Sequence, residues 1–173
     1  MWPCTGICHY ARECRNYEQE CHHCPYIYGG GGKKDLSTRI FRKKKEIYSQ
    51  ASITFVGCSR WLAEKAKVSG LLTGQTVISI PNAINTNLFK PHNKQEARRK
   101  WKDSLGVVVF GNQSQQLQDL IPFRVYPLPY IKNEHELVDI YNAVDLFAIP
   151  SLEENLPNMV MEAMSCGVPC VGV

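Results

Sequence analysis

No run of about 18 apolar residues occurs in this 173-residue chain, so no segment reads as a membrane-spanning helix. The opening stretch, MWPCTGICHY, has neither the charged start nor the apolar core of a secretory leader. A cytoplasmic location is therefore expected, where thiols stay reduced. Basic residues are scarce in the second part: residues 103–173 hold only Arg124 and Lys132 against nine Asp and Glu. Aromatic and basic residues are not interleaved, which argues against a single-stranded nucleic-acid platform and against a nucleic-acid partner. Gly29 to Gly32 and Lys33-Lys34 lack the preceding strand and the GK[ST] ending of a phosphate loop. They read as a flexible link. No internal repeat is visible.

The chain is 44% hydrophobic, enough for one ordinary domain or two incomplete ones. Residues 1–102 carry 18 Lys and Arg against seven Asp and Glu. The densest basic run, Arg42 to Lys45, falls on a helix expected from Leu36 to Ser49, with Ile40, Phe41 and Ile47 available to pack. A solvated helix face is the favoured reading. Attraction to an anionic membrane surface is the next.

Four of the eight cysteines cluster, Cys8, Cys14, Cys21 and Cys24, spaced C-x5-C-x6-C-x2-C. Four thiolates hold zinc tetrahedrally in closed structural sites, so a structural zinc is expected. Free thiols and two local disulfides are the alternatives. Cys58, Cys166 and Cys170 lie in apolar contexts and read as core.

Further along, Ile53 to Val56 reads as a strand and Ser59 as the N-cap of a helix from Arg60 to Val68. Thr76 to Ile80, Leu105 to Phe110 and Val125 to Leu128 read as strands, and Lys94 to Lys102 as an exposed helix. Asn133 caps a helix to Val144, with Leu137, Ile140, Tyr141 and Val144 on one face. The end of the chain is the most informative stretch. A strand from Asp145 to Ile149 leads through Pro150-Ser151, Glu153 and Glu154 to Pro157, placed in the first turn of a helix from Asn158 to Ser165. Met159, Val160, Ala163 and Met164 form its apolar stripe, Gly167 ends it, and Cys170 to Val173 starts another strand. This is a βαβ unit of a parallel sheet.

The helix start at the carboxyl end of a strand offers free N–H groups where open α/β sheets bind ligands. Glu154 and Glu162 bracket it, and carboxylates accept hydrogen bonds from sugar and ribose hydroxyls. The bland alternative is a dipole-capping Glu154 and a solvated Glu162.

Pro150-Ser151, Glu154, Glu162-Ala163-Met164 and Cys166-Gly167-Val168-Pro169 together resemble the nucleotide-sugar-dependent glycosyltransferases of the GT-B fold, specifically the group 1 retaining enzymes. Trp2-Pro3, Thr5-Gly6, Cys8-His9-Tyr10 and Cys21 to Pro25 are similar to an N-terminal segment of some members. Phe55 to Leu62, Ile80 to Asn85 and Phe89 are similar to the stretch that crosses between the family's two domains, with Ala83 and Asn85 where many members have Gly and Asp. The resemblance implies an α/β chain of two incomplete Rossmann-like halves. Residues 1–90 would be the end of the acceptor-side domain, with a Cys-rich segment at 4–24. Residues 91–173 would be part of the donor domain.

The activity implied is hexosyl transfer from a nucleoside diphosphate sugar to a carbohydrate or lipid-linked acceptor, with retention, in polysaccharide or glycolipid biosynthesis. A lipid-linked acceptor would suit peripheral association with the inner face of the membrane. No cofactor is implied for catalysis. By resemblance Glu154 is the catalytic contact to the donor sugar or its phosphates, helped by backbone at Asn155, Leu156 and Asn158. Glu162 holds the ribose, and backbone near Tyr130 and Ile131 meets the base, although Pro129 stands where the family usually has Gly. The family's phosphate-binding Arg and Lys should fall between Lys102 and Leu105, where only Asp103 and Ser104 stand. Weak transfer by the chain as written is therefore expected. The alternative is a non-catalytic nucleotide-binding or zinc-stabilised remnant.

Overall fold

A computed structural model describes residues 1–99, 106–110, 120 and 122–172. The chain folds as two units, residues 1–82 with 153–156, and residues 83–152 with 157–173.

The first unit holds helix α1, Leu36–Ser49, and helix α2, Arg60–Lys67, with strands β1, Thr54–Gly57, and β2, Thr76–Ser79. The two strands pair in parallel, Thr54 opposite Thr76 and Gly57 opposite Ser79. Ser59 caps α2, its hydroxyl accepting from the N–H of Leu62 at 3.1 Å. Phe41, Tyr17, Leu71, Leu72 and Ala66 form the buried core. Short 3-10 turns at Trp2–Cys4 and Asn16–Glu18 fold the first 35 residues onto it without regular sheet.

Polar ties hold that segment. The Asp35 carboxylate caps α1, accepting from the Thr38 N–H at 3.1 Å and the Ser37 hydroxyl at 2.6 Å. Its other oxygen accepts from the N–H of Cys24 at 2.9 Å. Burial acts to raise the Asp35 pKa, but the hydrogen bonds from Cys24, Ser37 and Thr38 outweigh it and hold it at about 2. The four glycines are a built turn rather than a link: Gly31 donates to the Cys24 carbonyl at 3.2 Å, and a Cβ on Gly31 would meet Asp35 Oδ2 at 2.1 Å.

The basic run on α1 is not uniformly solvated, which corrects the sequence reading. Ser37, Thr38, Phe41 and Lys44 form the buried face, while Ile47 is exposed. Lys44 Nζ donates to the carbonyls of Trp2 at 2.6 Å, Thr5 at 2.8 Å and Gly6 at 3.1 Å, and sits 3.7 Å from the centre of the Trp2 ring. The carbonyls replace water around the ammonium and the ring face adds attraction. Burial still disfavours the charge and lowers the Lys44 pKa to about 8.

The second unit contains helices α3, Lys94–Arg98, α4, Glu134–Ala143, and α5, Asn158–Ser165. Its strands are β3, Gly106–Phe110, β4, Arg124–Leu128, β5, Phe147–Ile149, and β6, Cys170–Gly172. β3 pairs in parallel with β4, and β5 in parallel with β6. The chain is therefore α/β with parallel strands, as the sequence pattern implied. The residues from 100 to 105 and Gly111, which bear on the start of the first strand of this half and on the missing basic pair, lie outside the described residues.

Two outcomes test the ties. Asp35→Ala should destabilise the protein by about 1–2 kcal/mol at pH 7, the usual scale for a lost N-cap. Because the folded-state pKa is depressed, this contribution is present above the unfolded value near 4 and is lost as the pH falls through about 2. Denaturant melts at pH 7 and pH 2.5 should show the gap between wild type and variant shrinking. Lys44→Met should cost about 1–3 kcal/mol by stranding buried carbonyls. For Lys44 the unfolded chain keeps its proton up to about 10.5 while the folded chain releases it near 8. Stability measured relative to Lys44→Met should therefore rise from pH 8 to pH 10, and a flat or falling difference would contradict the buried-ammonium account.

Candidate active site

α5 has the start and stop its sequence demands. Pro157 stands just outside as the N-cap, with φ −64° and ψ 131°, rather than in the first turn. At the other end Gly167, with φ 77°, donates to the Met164 carbonyl at 2.9 Å, and Val168 donates to that of Ala163 at 3.0 Å. That double closure requires a left-handed residue, which glycine supplies without a Cβ penalty. Ala163, 0% exposed, is the contact point of the helix, and Cys166 is buried beside it. Met159 and Met164 point outward, so the apolar stripe read from sequence is narrower than expected. Small Ala163 allows close packing, which leaves the longer side chains on the flanks.

Glu162 lies on this helix, half-buried. Its Oε2 accepts a hydrogen bond from the Tyr141 hydroxyl at 2.9 Å. Tyr141, on α4, is 0% exposed, with the Phe89 ring centre at 6.3 Å and the Phe147 ring centre at 5.8 Å in an edge-on arrangement. Burial first, and the adjacent Glu162 carboxylate second, raise the Tyr141 pKa. The phenol is therefore a permanent donor at ordinary pH. Glu162 is thus not the freely solvated helix residue of the bland alternative. Ile131, in the loop between β4 and α4, is half-buried in the same unit.

Glu153–Leu156 cluster with the first unit. There Asn155 Oδ1 accepts from the Ser59 hydroxyl at 3.0 Å, the Asn155 carbonyl accepts from Cys58 Sγ at 3.4 Å, and Glu153 Oε2 accepts from the Arg12 N–H at 2.9 Å. Glu154 is exposed. Leu156 adopts φ 55°, a left-handed conformation that strains a branched side chain. Asn158 opens α5 in the second unit.

The four clustered cysteines are free thiols in this structure. Burial, then Cys24, Cys21 and Cys14, push the Cys8 thiol up to about 12. Cys21 Sγ accepts from the Gly6 N–H at 3.3 Å. Among the described residues, however, no group of three or more His, Cys, Asp or Glu side chains is arranged to hold a metal ion.

Two features escaped the sequence. Tyr141 reads as one more apolar position on α4, and nothing in its spacing singles out its hydroxyl. Lys44 reads as one cation among four.

Among the described residues no helix is long and apolar enough to cross a membrane. The family of group 1 glycosyl transferases matches residues 86–173. No curated protein sequence matches the chain. A solved structure of sucrose-phosphate synthase from Thermosynechococcus elongatus is similar, with a TM-score of 0.55 at 19% identity, covering 78% of this chain. The match covers only 43% of that structure. Such identity bears on fold, and it agrees with the parallel α/β units in giving a GT-B-type architecture. With the family match running through α4 and α5, the chain belongs to the group 1 glycosyl transferases.

Proposed function

We propose that this chain supplies the donor-binding part of a retaining glycosyltransferase that moves a hexose from a nucleoside diphosphate sugar to a carbohydrate or lipid-linked acceptor, in polysaccharide or glycolipid biosynthesis. The observation that carries the reading is Glu162, a half-buried carboxylate inside the family-matched region, with one oxygen fixed by a buried phenol. A fixed carboxylate accepting from vicinal hydroxyls suits a ribose. In this reading Glu162 grips the ribose, and the backbone at Ile131 meets the base. Glu154 contacts the donor sugar or its phosphates, with backbone N–H groups at Asn155, Leu156 and Asn158. The positive dipole end at the start of α5 favours a phosphate.

The chemistry needs stabilisation of negative charge on the departing diphosphate. Residues 103–173 offer two cations, Arg124 and Lys132, and Arg124 lies over the Tyr126 ring at 5.0 Å. The donor half is thus better equipped, by its own residues, to bind a nucleotide than to drive its departure. The protein would act in the cytoplasm, and a lipid-linked acceptor would bring it to the membrane surface.

Glu162→Gln should weaken binding of the preferred nucleoside diphosphate by about 1.5–3 kcal/mol, the range for a hydrogen bond to a charged group. The ligand-free melting temperature should hardly move. Calorimetric titration with UDP, GDP and ADP measures this, and unchanged affinity in a folded variant would remove Glu162 from the site.

A further inference from the structure

Glutamate on a helix has three side-chain torsions, and freezing them on binding takes away from affinity. A carboxylate that is already held when the ligand arrives avoids most of that loss. The second unit contains such a hold. Tyr141 is 0% exposed and donates to Glu162 Oε2 at 2.9 Å. Its ring is edge-on to Phe147 and packed near Phe89, so the phenol has little freedom of its own. Helix α4 is in turn fixed beside it: the buried Asn142 side chain accepts from the His92 N–H at 2.6 Å and donates to the carbonyls of Lys90 at 3.1 Å and Val138 at 3.0 Å. On the other helix, the Ser165 hydroxyl donates to the Phe89 carbonyl at 2.6 Å. Both ends of the Tyr141–Glu162 bond are thus mounted on anchored elements.

We propose that Tyr141 is the positioning residue for ribose recognition, fixing Glu162 Oε2 from within the core so that Oε1 is preset to accept from the ribose hydroxyls. The inference rests on the assignment of Glu162 to the ribose made above. The specificity it confers is for a nucleotide bearing a 2′-hydroxyl: a preset acceptor gains little from a deoxyribose and is left short of a partner by it. A purely structural Tyr141, which needs only some acceptor for its buried hydroxyl, would not influence that discrimination.

The test titrates the full chain with UDP, GDP and ADP, each against its 2′-deoxy counterpart. Wild type should prefer the best ribonucleotide by about tenfold, the scale of one hydrogen bond to a charged group. Tyr141→Phe, which keeps the ring and removes the donor, should narrow that ratio at least about threefold and leave the deoxynucleotide affinity within about twofold. A folded Tyr141→Phe variant that keeps the wild-type ratio overturns the inference. If that variant fails to fold, Asn142→Ala serves instead. It frees α4 from its ties to Lys90 and His92 while leaving Tyr141 and Glu162 in place, and an unchanged ratio in it has the same meaning. Failure of the underlying assignment has a different signature: either wild type shows no preference for the 2′-hydroxyl, or Glu162→Gln retains it in full.

Discussion

A tyrosine with no exposed surface must bury its hydroxyl against an acceptor or strand it, and stranding a buried polar group costs about 1–3 kcal/mol. In the second unit that acceptor is the carboxylate of Glu162. The constraint works in both directions. Tyr141 can occupy the centre of the core, among Phe89, Val138, Ala163 and Cys166, because Glu162 satisfies it. Glu162 can stand half-buried because a permanent donor faces it. The spacing of α4 and α5 follows from the same pair, with Ala163 allowing the close approach that brings phenol and carboxylate together.

The first unit solves a different problem. Its first 35 residues have no strand among them and form two short 3-10 turns. Their fold is held by polar contacts to α1: Lys44 through three carbonyls and the Trp2 ring, and Asp35 through the Cys24 N–H. An ammonium in such a place is held by oriented dipoles rather than by a carboxylate, and the depressed pKa records the incomplete match. The thiols lie in the same neighbourhood, and burial raises the pKa of Cys4, Cys8 and Cys21. The segment is thus tied to α1 through backbone carbonyls gathered on a buried lysine and through one carboxylate.

Much of the architecture was legible because local chemistry and fold agree. Ser59, Asn133 and Gly167 mark helix ends with side-chain acceptors or a left-handed residue, and each stands where the sequence reading put it. The parallel β5–α5–β6 unit follows from Pro157, Gly167 and Pro169 punctuating two short apolar runs. Glu162 was singled out by motif resemblance. Its hold by Tyr141 was not, because periodicity reports which face a residue occupies and says nothing of what its hydroxyl reaches. Lys44 escaped for the complementary reason: a charged residue at a buried helical position breaks the apolar pattern, and only the three carbonyls gathered there explain it. The glycine run was misjudged because composition cannot separate a link from a close approach of backbone to Asp35 and Cys24.

The central claim is that the carboxylate of Glu162, preset by the core, is the ribose acceptor of a nucleotide-sugar site. The most direct measurement is a crystal structure of the full chain grown with whichever of UDP, GDP or ADP raises its melting temperature most. The account predicts ribose hydroxyl oxygens at hydrogen-bond distance, about 2.5–3.0 Å, from Glu162, with the Tyr141 contact intact. A nucleotide bound with its ribose away from Glu162, or density showing Tyr141 released from the carboxylate in the complex, would contradict it.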